Sequence, residues 1–433
     1  MKIIGEILRP EPQVLYLEPF FGCNFRCPFC IHGSGHRIEA VQLGPRLFDR
    51  LKPVIETVNH VHITGLGEPL LNPHLLDYLT YFREKGKSYY VNTNGSLIDA
   101  ALVELMAASR SELSISLDTG DRETYERIRQ PGSWDKVISR VKMVSQIRTS
   151  RRSSYPLLYL TFHINAMNLT SLRKVPTLAA DLGVDAVKFS WTILPESHRA
   201  HSVFRHREEA TEAIDRVCVQ LGKAGIHVQN EAVFGKRVRG CWAFSPMAFV
   251  GANGAVAACC NRWTTVGGID RNRFEDIWNG LPRRKIVLAI ANGRPERECR
   301  DCPQIRGVDY DNNEQDFVKP ADLEATILAE KTKSMEELTS VEGLAGGFHA
   351  GVAAFLRGEH QAAASIFSAL DTKYPGFFEI KNNLAVAYFY LANFERCREV
   401  LHSSRRIPHN ETIIESNLKL LDRCDAAGGS PLT

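Results

Sequence analysis

Three cysteines lie close together in Cys23-Asn-Phe-Arg-Cys27-Pro-Phe-Cys30. Thiolates are soft ligands suited to iron and zinc, and three in one short loop can each hold one iron of a cubane cluster. The fourth iron is then left open to a small molecule, which gives such a loop chemistry beyond structure. A zinc ion would want a fourth ligand or a water, which His32 or His36 could supply. A second group follows much later: Cys241, then Cys259 or its neighbour Cys260, then Cys299-Arg-Asp-Cys302. Four thiolates in that order would close a second iron–sulfur cluster completely, and would equally satisfy a tetrahedral structural zinc. Cys218, Cys397 and Cys424 fall in helix-like stretches and read as buried free thiols.

The elements that must position these residues alternate. Strands are expected at Val14–Glu18, His60–Thr64, Ser88–Asn92, Glu112–Leu117, Leu157–Ile164 and Ala186–Trp191. Helices are expected between them at Pro45–Thr57, Pro73–Lys85, Asp99–Ala108, Trp134–Ile147 and Leu169–Leu182. This rhythm predicts an α/β fold, a partial (βα)6 TIM-like barrel over residues 1–200, with its chemistry just after the strands. Over 201–315 the rhythm stops. A helix near Arg207–Ala224, a hairpin of Met247–Val250 and Ala255–Ala258, and helical patterns at Arg273–Gly280 and Pro282–Ala291 predict a small α+β domain. A polar linker spans 316–338. Residues 339–425 form an all-α helical-repeat domain, because Ala350–Gly358 aligns with Leu384–Ala392 at an offset of 34 residues, the period of the tetratricopeptide repeat. A plain helical bundle is the alternative.

The cysteine spacing, with the aromatic Phe29 before the last cysteine, resembles the signature of the radical S-adenosylmethionine (SAM) superfamily. Further motifs occur in order on successive strand ends. Gly65-Leu-Gly-Glu-Pro69 is similar to the family's Gly-Gly-Glu-Pro segment, whose backbone binds the SAM amino group, with Leu66 in place of a glycine. Asn92-Thr-Asn-Gly95 is similar to its Thr-Asn-Gly segment. Ser114-Ile-Ser-Leu-Asp118 is similar to the motif from which Ser116 and Asp118 would reach the ribose, and Asn165 is a weaker candidate for SAM contact. The resemblance thus implies a SAM-binding [4Fe-4S] cluster on Cys23, Cys27 and Cys30. It implies a SAM site built from Phe29, Gly65, Gly67, Glu68, Pro69, Asn94, Ser116, Asp118 and Asn165. The later cysteines resemble the SPASM extension in its shorter twitch form, which implies one auxiliary [4Fe-4S] cluster on Cys241, Cys259, Cys299 and Cys302. Cys260 would be the ligand instead of Cys259, a bystander, or a hydrogen-atom donor to a substrate radical.

The implied reaction is reductive cleavage of SAM to a 5′-deoxyadenosyl radical that abstracts a substrate hydrogen atom, with electrons from an external donor of flavodoxin or ferredoxin type. Two substrate classes remain: a peptide or protein to be oxidised, cross-linked or epimerised, and a small sugar or aminocyclitol. The peptide is slightly favoured, because the terminal repeats would offer a groove to it or to a partner protein. The chain's start just before the first strand, where many peptide-modifying relatives carry a leader-binding module, weighs against it. A non-enzymatic metal scaffold is the third alternative. Composition limits the rest. The chain of 433 residues is 44% hydrophobic and carries a formal charge of +3, too little to imply a nucleic-acid or membrane surface. With no signal-peptide pattern and no spanning apolar run, a cytoplasmic location is expected.

Overall fold

The computed structural model describes residues 11–33, 38–192, 196–203, 206–232, 247–259, 265–291 and 299. In the C-terminal part it describes 350–351, 354–355, 357–373, 378–404, 414–415, 417–418 and 421–422. The linker expected at 316–338, and Cys241, Cys260, Cys302 and Cys424, lie outside these residues.

All six expected strands are present, as β1 Val14–Leu17, β4 His60–Ile63, β5 Ser88–Thr93, β6 Ser111–Ser116, β7 Leu157–Ile164 and β8 Ala186–Trp191. They lie side by side in that order, each parallel to the next. Alternation along them explains the layering. Leu15 and Leu17, Val61 and Ile63, Tyr89 and Val91, and Leu113 and Ile115 are buried. They form one core with the apolar stripes of the helices, such as Phe48, Leu51, Val54 and Ile55 of α1 (Pro45–Thr57). The other helices of this region are α2 Leu75–Glu84, α3 Ala100–Ala107, α4 Arg122–Ile128, α5 Trp134–Arg151 and α6 Val175–Leu182. Asp99 and Asp121 cap α3 and α4 by accepting from the amides of Leu102 and Thr124.

Three features depart from expectation. Leu169–Leu182 is not one helix: a 3-10 segment, Leu169–Lys174, precedes α6. Pro176 lacks an amide donor and sits in the first turn of α6, where a helix starts rather than continues. The alternation also runs one unit past residue 200. α7 (Arg207–Lys223) leads to β9 (His227–Asn230), which is parallel to β8. This strand is polar and at the sheet edge, so no apolar run marks it. Finally, the hairpin of β10 (Met247–Val250) and β11 (Ala255–Ala257) does not stand apart. β10 pairs in parallel with β1, and β12 (Thr265–Gly268) pairs with β11. The result is one ten-stranded sheet, β12-β11-β10-β1-β4-β5-β6-β7-β8-β9. A short ribbon of β2 (Phe20–Phe21) and β3 (Val41–Gln42) flanks the first cysteine loop.

After β12 come α8 (Phe274–Trp278) and α9 (Leu281–Ala291). The C-terminal part holds α10 His360–Lys373, α11 Phe378–Tyr390 and α12 Phe394–Ser404. The turns before α10 and α12 each contain a left-handed residue, Gly358 (φ 81°) and Ala392 (φ 54°), in the register at which the sequence aligns with itself. Phe367, Leu384, Ala387, Cys397 and Leu401 form a separate core there, and Val287 of α9 belongs to it. The helical unit is thereby packed onto the helix that follows the hairpin sheet. Among the described residues no helix is long and apolar enough to cross a membrane.

Candidate active site

The first cysteine loop follows β1 and is gripped by the segments after β4 and β5. The Gly65–Pro69 turn after β4 lies directly against it. A Cβ on Gly67 would overlap the Phe20 carbonyl, and one on Gly65 would overlap the Glu18 carboxylate. Only glycine permits this approach. The Glu68 amide donates to the Gly22 carbonyl at 2.8 Å, and the Leu66 amide donates to Glu18 Oε1 at 2.7 Å. Leu66 is thus accommodated because its backbone makes the contact.

Glu68 is the latch between β4 and β5. Its carboxylate, 2% exposed, accepts from Thr93 Oγ1 at 2.6 Å, the Asn94 amide at 2.8 Å and the Leu70 amide at 3.2 Å. Burial nonetheless pushes its carboxyl above the usual range. The side chain is thus committed to the scaffold between β4 and β5. Asn94 continues the grip from β5: its Nδ2 donates to Asn24 Oδ1 at 2.9 Å and approaches Cys23 Sγ at 3.9 Å. Asn24 in turn donates to Ser96 Oγ.

The three thiols are partly buried, and burial raises the pKa of each, that of Cys27 to about 11. They also repel one another as thiolates. Among the described residues, no three His, Cys, Asp or Glu side chains converge closely enough to hold a single metal ion. Three thiols in one loop are the donor set for three irons of a cubane cluster, with the fourth iron left open. The Cys30 amide donates to the Cys27 carbonyl and the Gly33 amide to that of Cys30, which fixes the coil of the loop.

Farther along the edge, Ser116 Oγ donates to Asn92 Oδ1 at 3.3 Å. Asp118 follows in a left-handed conformation (φ 64°), which is uncommon for a residue with a side chain. Its carboxylate pairs with Arg129 and accepts from the His163 amide at 2.8 Å. Burial alone would raise this carboxyl; Arg129 and His163 overturn that and hold it near 2. Asn168, fully buried, donates to the carbonyls of Asp118 and His163, both at 2.8 Å. Asn165 donates to Thr192 Oγ1 at 3.1 Å and accepts from the Met167 amide. Phe29 lies edge-on to His198 and His201, with ring centroids 5.2 and 6.0 Å away. The structure thus brings Cys23, Cys27, Cys30, Phe29, Gly65, Gly67, Glu68, Pro69, Asn94, Ser116, Asp118 and Asn165 to one edge of the sheet.

Other residues of the site escaped the sequence. Arg129, His163 and Asn168 act through partners 5 to 50 positions away, so no short motif marks them. A belt on the open face of the sheet was also missed. Tyr16 and His62 are register partners with rings stacked at 4.5 Å, and Tyr90, the next partner, is 5.1 Å from His62. The period-2 pattern assigns these residues to the face opposite the helices, but not to a ring contact. Burial lowers the His62 pKa to about 3, so the imidazole is neutral.

Of the second cysteine group, Cys259 follows β11 and is half-buried, and Cys299 is buried. Cys241, Cys302 and the alternative Cys260 lie outside the described residues.

Comparison with known proteins agrees with this arrangement. Residues 17–155 match the Radical SAM superfamily and residues 241–303 match SPASM, an iron-sulfur cluster-binding domain. The AdoMet-dependent heme synthase of Methanosarcina barkeri is 24% identical over 325 residues, 68% of this chain and 87% of that protein. The chain spans about half the length of other curated relatives it matches, such as proteins named probable GTP 3′,8-cyclase. Among solved structures, anSMEcpe with bound AdoMet is similar with a TM-score of 0.53 at 14% identity, covering 76% of this chain and 95% of that one. Streptococcus suis SuiB is similar with a TM-score of 0.51 at 16% identity, covering 65% and 68%. The two domains imply SAM, a SAM-binding [4Fe-4S] cluster and auxiliary iron–sulfur chemistry. This chain therefore carries a radical SAM domain, with Cys23, Cys27 and Cys30 in its cysteine loop, followed by a SPASM iron-sulfur domain.

Proposed function

We propose that the protein is a radical SAM enzyme acting on a peptide or protein, with the oxidation, cross-linking or epimerisation of a residue as its net reaction. The observation that carries the radical SAM chemistry is the clamp of the cysteine loop between the Gly65–Pro69 turn and Asn94. When bound, the cluster and SAM supply the electron and the 5′-deoxyadenosyl radical that takes a hydrogen atom from the substrate. The chain's own residues hold and shield that chemistry. The backbone of the Gly65–Pro69 turn would take the SAM amino group, and Ser116, Asp118 and Asn165 would meet the ribose and its neighbours. Phe29 packs edge-on against His198 and His201 beside the cysteine loop. Cys241, Cys259, Cys299 and Cys302 would hold the auxiliary cluster, and Cys260 remains the alternative to Cys259 or a hydrogen donor.

The peptide reading draws support from the helical unit after residue 350, whose two turns repeat in register as in tetratricopeptide-type repeats, and such units present grooves to extended chains. A solved structure of similar fold, at 14% identity and a TM-score of 0.51, is anSMEcpe with bound AdoMet and the Kp18Cys peptide. An external flavodoxin- or ferredoxin-type donor would supply the electrons, and a cytoplasmic location suits reduced clusters. A second reading is favoured by one specific finding, the similarity to a heme synthase over 87% of its length. In that reading the substrate is a planar macrocycle resting on the Tyr16–His62–Tyr90 belt.

Anaerobic reconstitution with SAM and dithionite tests the reading. Wild-type protein should hold about eight irons and a Cys23/Cys27/Cys30 triple alanine variant about four, with no 5′-deoxyadenosine from the variant. Added peptide libraries should raise 5′-deoxyadenosine yield above the substrate-free level. Stimulation by a propionate-bearing porphyrin and by no peptide would replace the first reading with the second.

A further inference from the structure

Arg129 is the charge the radical SAM motifs leave unexplained. It follows α4, and its amide donates to the Tyr125 carbonyl at 2.7 Å. The chain then runs beneath the cysteine loop: the Gln130 carbonyl accepts from the Arg26 amide, and Gly132 packs so closely on Phe25 that a Cβ would lie 2.9 Å from its ring. The side chain is 13% exposed and paired through one nitrogen with Asp118. Its Nε is inaccessible to solvent and has no hydrogen-bond partner within the chain. A buried donor of this kind is costly unless it serves something. Cys27 and Cys30 each feel Arg129 more strongly than any other charged group. Glu68 and Tyr125 feel it as well.

We infer that Arg129 is a positioning residue that sets the reduction potential of the cluster held by Cys23, Cys27 and Cys30, as a buried positive charge and an unpartnered hydrogen-bond donor beside the cysteine loop. Reduction adds one electron to the cluster and no proton to the chain. A fixed cation and a donor to thiolate sulfur stabilise the extra negative charge, and charge and hydrogen bonds to sulfur are the levers that tune such clusters. Asp118 opposes this charge and sets its net size. The inference rests on the assignment of these cysteines to a cluster, which iron content checks separately.

The test is a redox titration of reconstituted full-length protein without SAM, followed by EPR on the signal that changes when SAM is later added. Arg129→Gln should lower the reduced-to-oxidised ratio at a fixed potential about tenfold, equivalent to ~59 mV for a one-electron couple. Arg129→Lys, which keeps the charge and loses Nε, should fall between. Asp118→Asn should move the ratio the other way, which a merely structural role for the pair would not produce. If Arg129→Gln fails to take up iron because Asp118 is stranded, the Arg129→Gln/Asp118→Asn double variant takes its place, with the same expected direction as Arg129→Gln relative to Asp118→Asn. Ratios within twofold of wild type at full iron content would overturn the inference. So would an unchanged ratio accompanied by weakened SAM binding, which would assign Arg129 to the SAM carboxylate instead.

Discussion

Glu68 shows how one side chain of a ligand-binding motif can serve the scaffold. Its carboxylate satisfies a hydroxyl and two amides in a site closed to water. Glu68→Ala should therefore cost roughly 3 kcal/mol by denaturant unfolding, about 1 kcal/mol for each donor left behind. Asp118 carries a pH dependence of definite sign. Its pKa is depressed from 3.8 to about 2 in the folded chain, so its pairing stabilises the protein fully above pH 4 and is lost as pH falls through 2. The contribution is about 2 kcal/mol, and Asp118→Asn should flatten that part of the acid unfolding profile measured by circular dichroism. Cys23, Cys27 and Cys30 were legible because cluster ligation in one loop demands short spacing. Arg129 and Asn168 were not, since their partners Asp118 and His163 become neighbours only once β6, β7 and α4 have packed.

At the scale of elements, the alternation of apolar strands and amphipathic helices specified β1 and β4–β8 almost to the residue. The same physics hid β9: an edge strand needs few apolar side chains, and His227, Gln229 and Asn230 supply none. The two glycines of the turn after β4 are a different kind of signal, since a motif names them but only packing gives the reason. Gly67→Ala must push the turn off the Phe20 carbonyl. It should destabilise the fold by about 1–3 kcal/mol and weaken SAM binding measured by calorimetry, while Gly86→Ala, where a Cβ meets nothing but the left-handed φ is 64°, should leave SAM binding unchanged.

At the scale of the molecule, the expected separation of barrel, auxiliary and helical parts is crossed by two contacts. Val287 of α9 lies in the helical unit's core, so truncation after about residue 335 should expose it, at a cost of about 1.5–3 kcal/mol. SAM cleavage should survive that truncation, as read by 5′-deoxyadenosine yield, because the core of β1–β9 does not include the C-terminal helices. The second contact is β1 itself, hydrogen-bonded to β4 on one side and to β10 on the other. The strand that launches Cys23 is thus also the strand on which the hairpin before Cys259 is built. Occupancy at either end of that ladder favours the same ordered strand, which makes the two loadings thermodynamically linked. Filling one cysteine group should tighten the other, and the holoprotein should assemble with few half-loaded molecules.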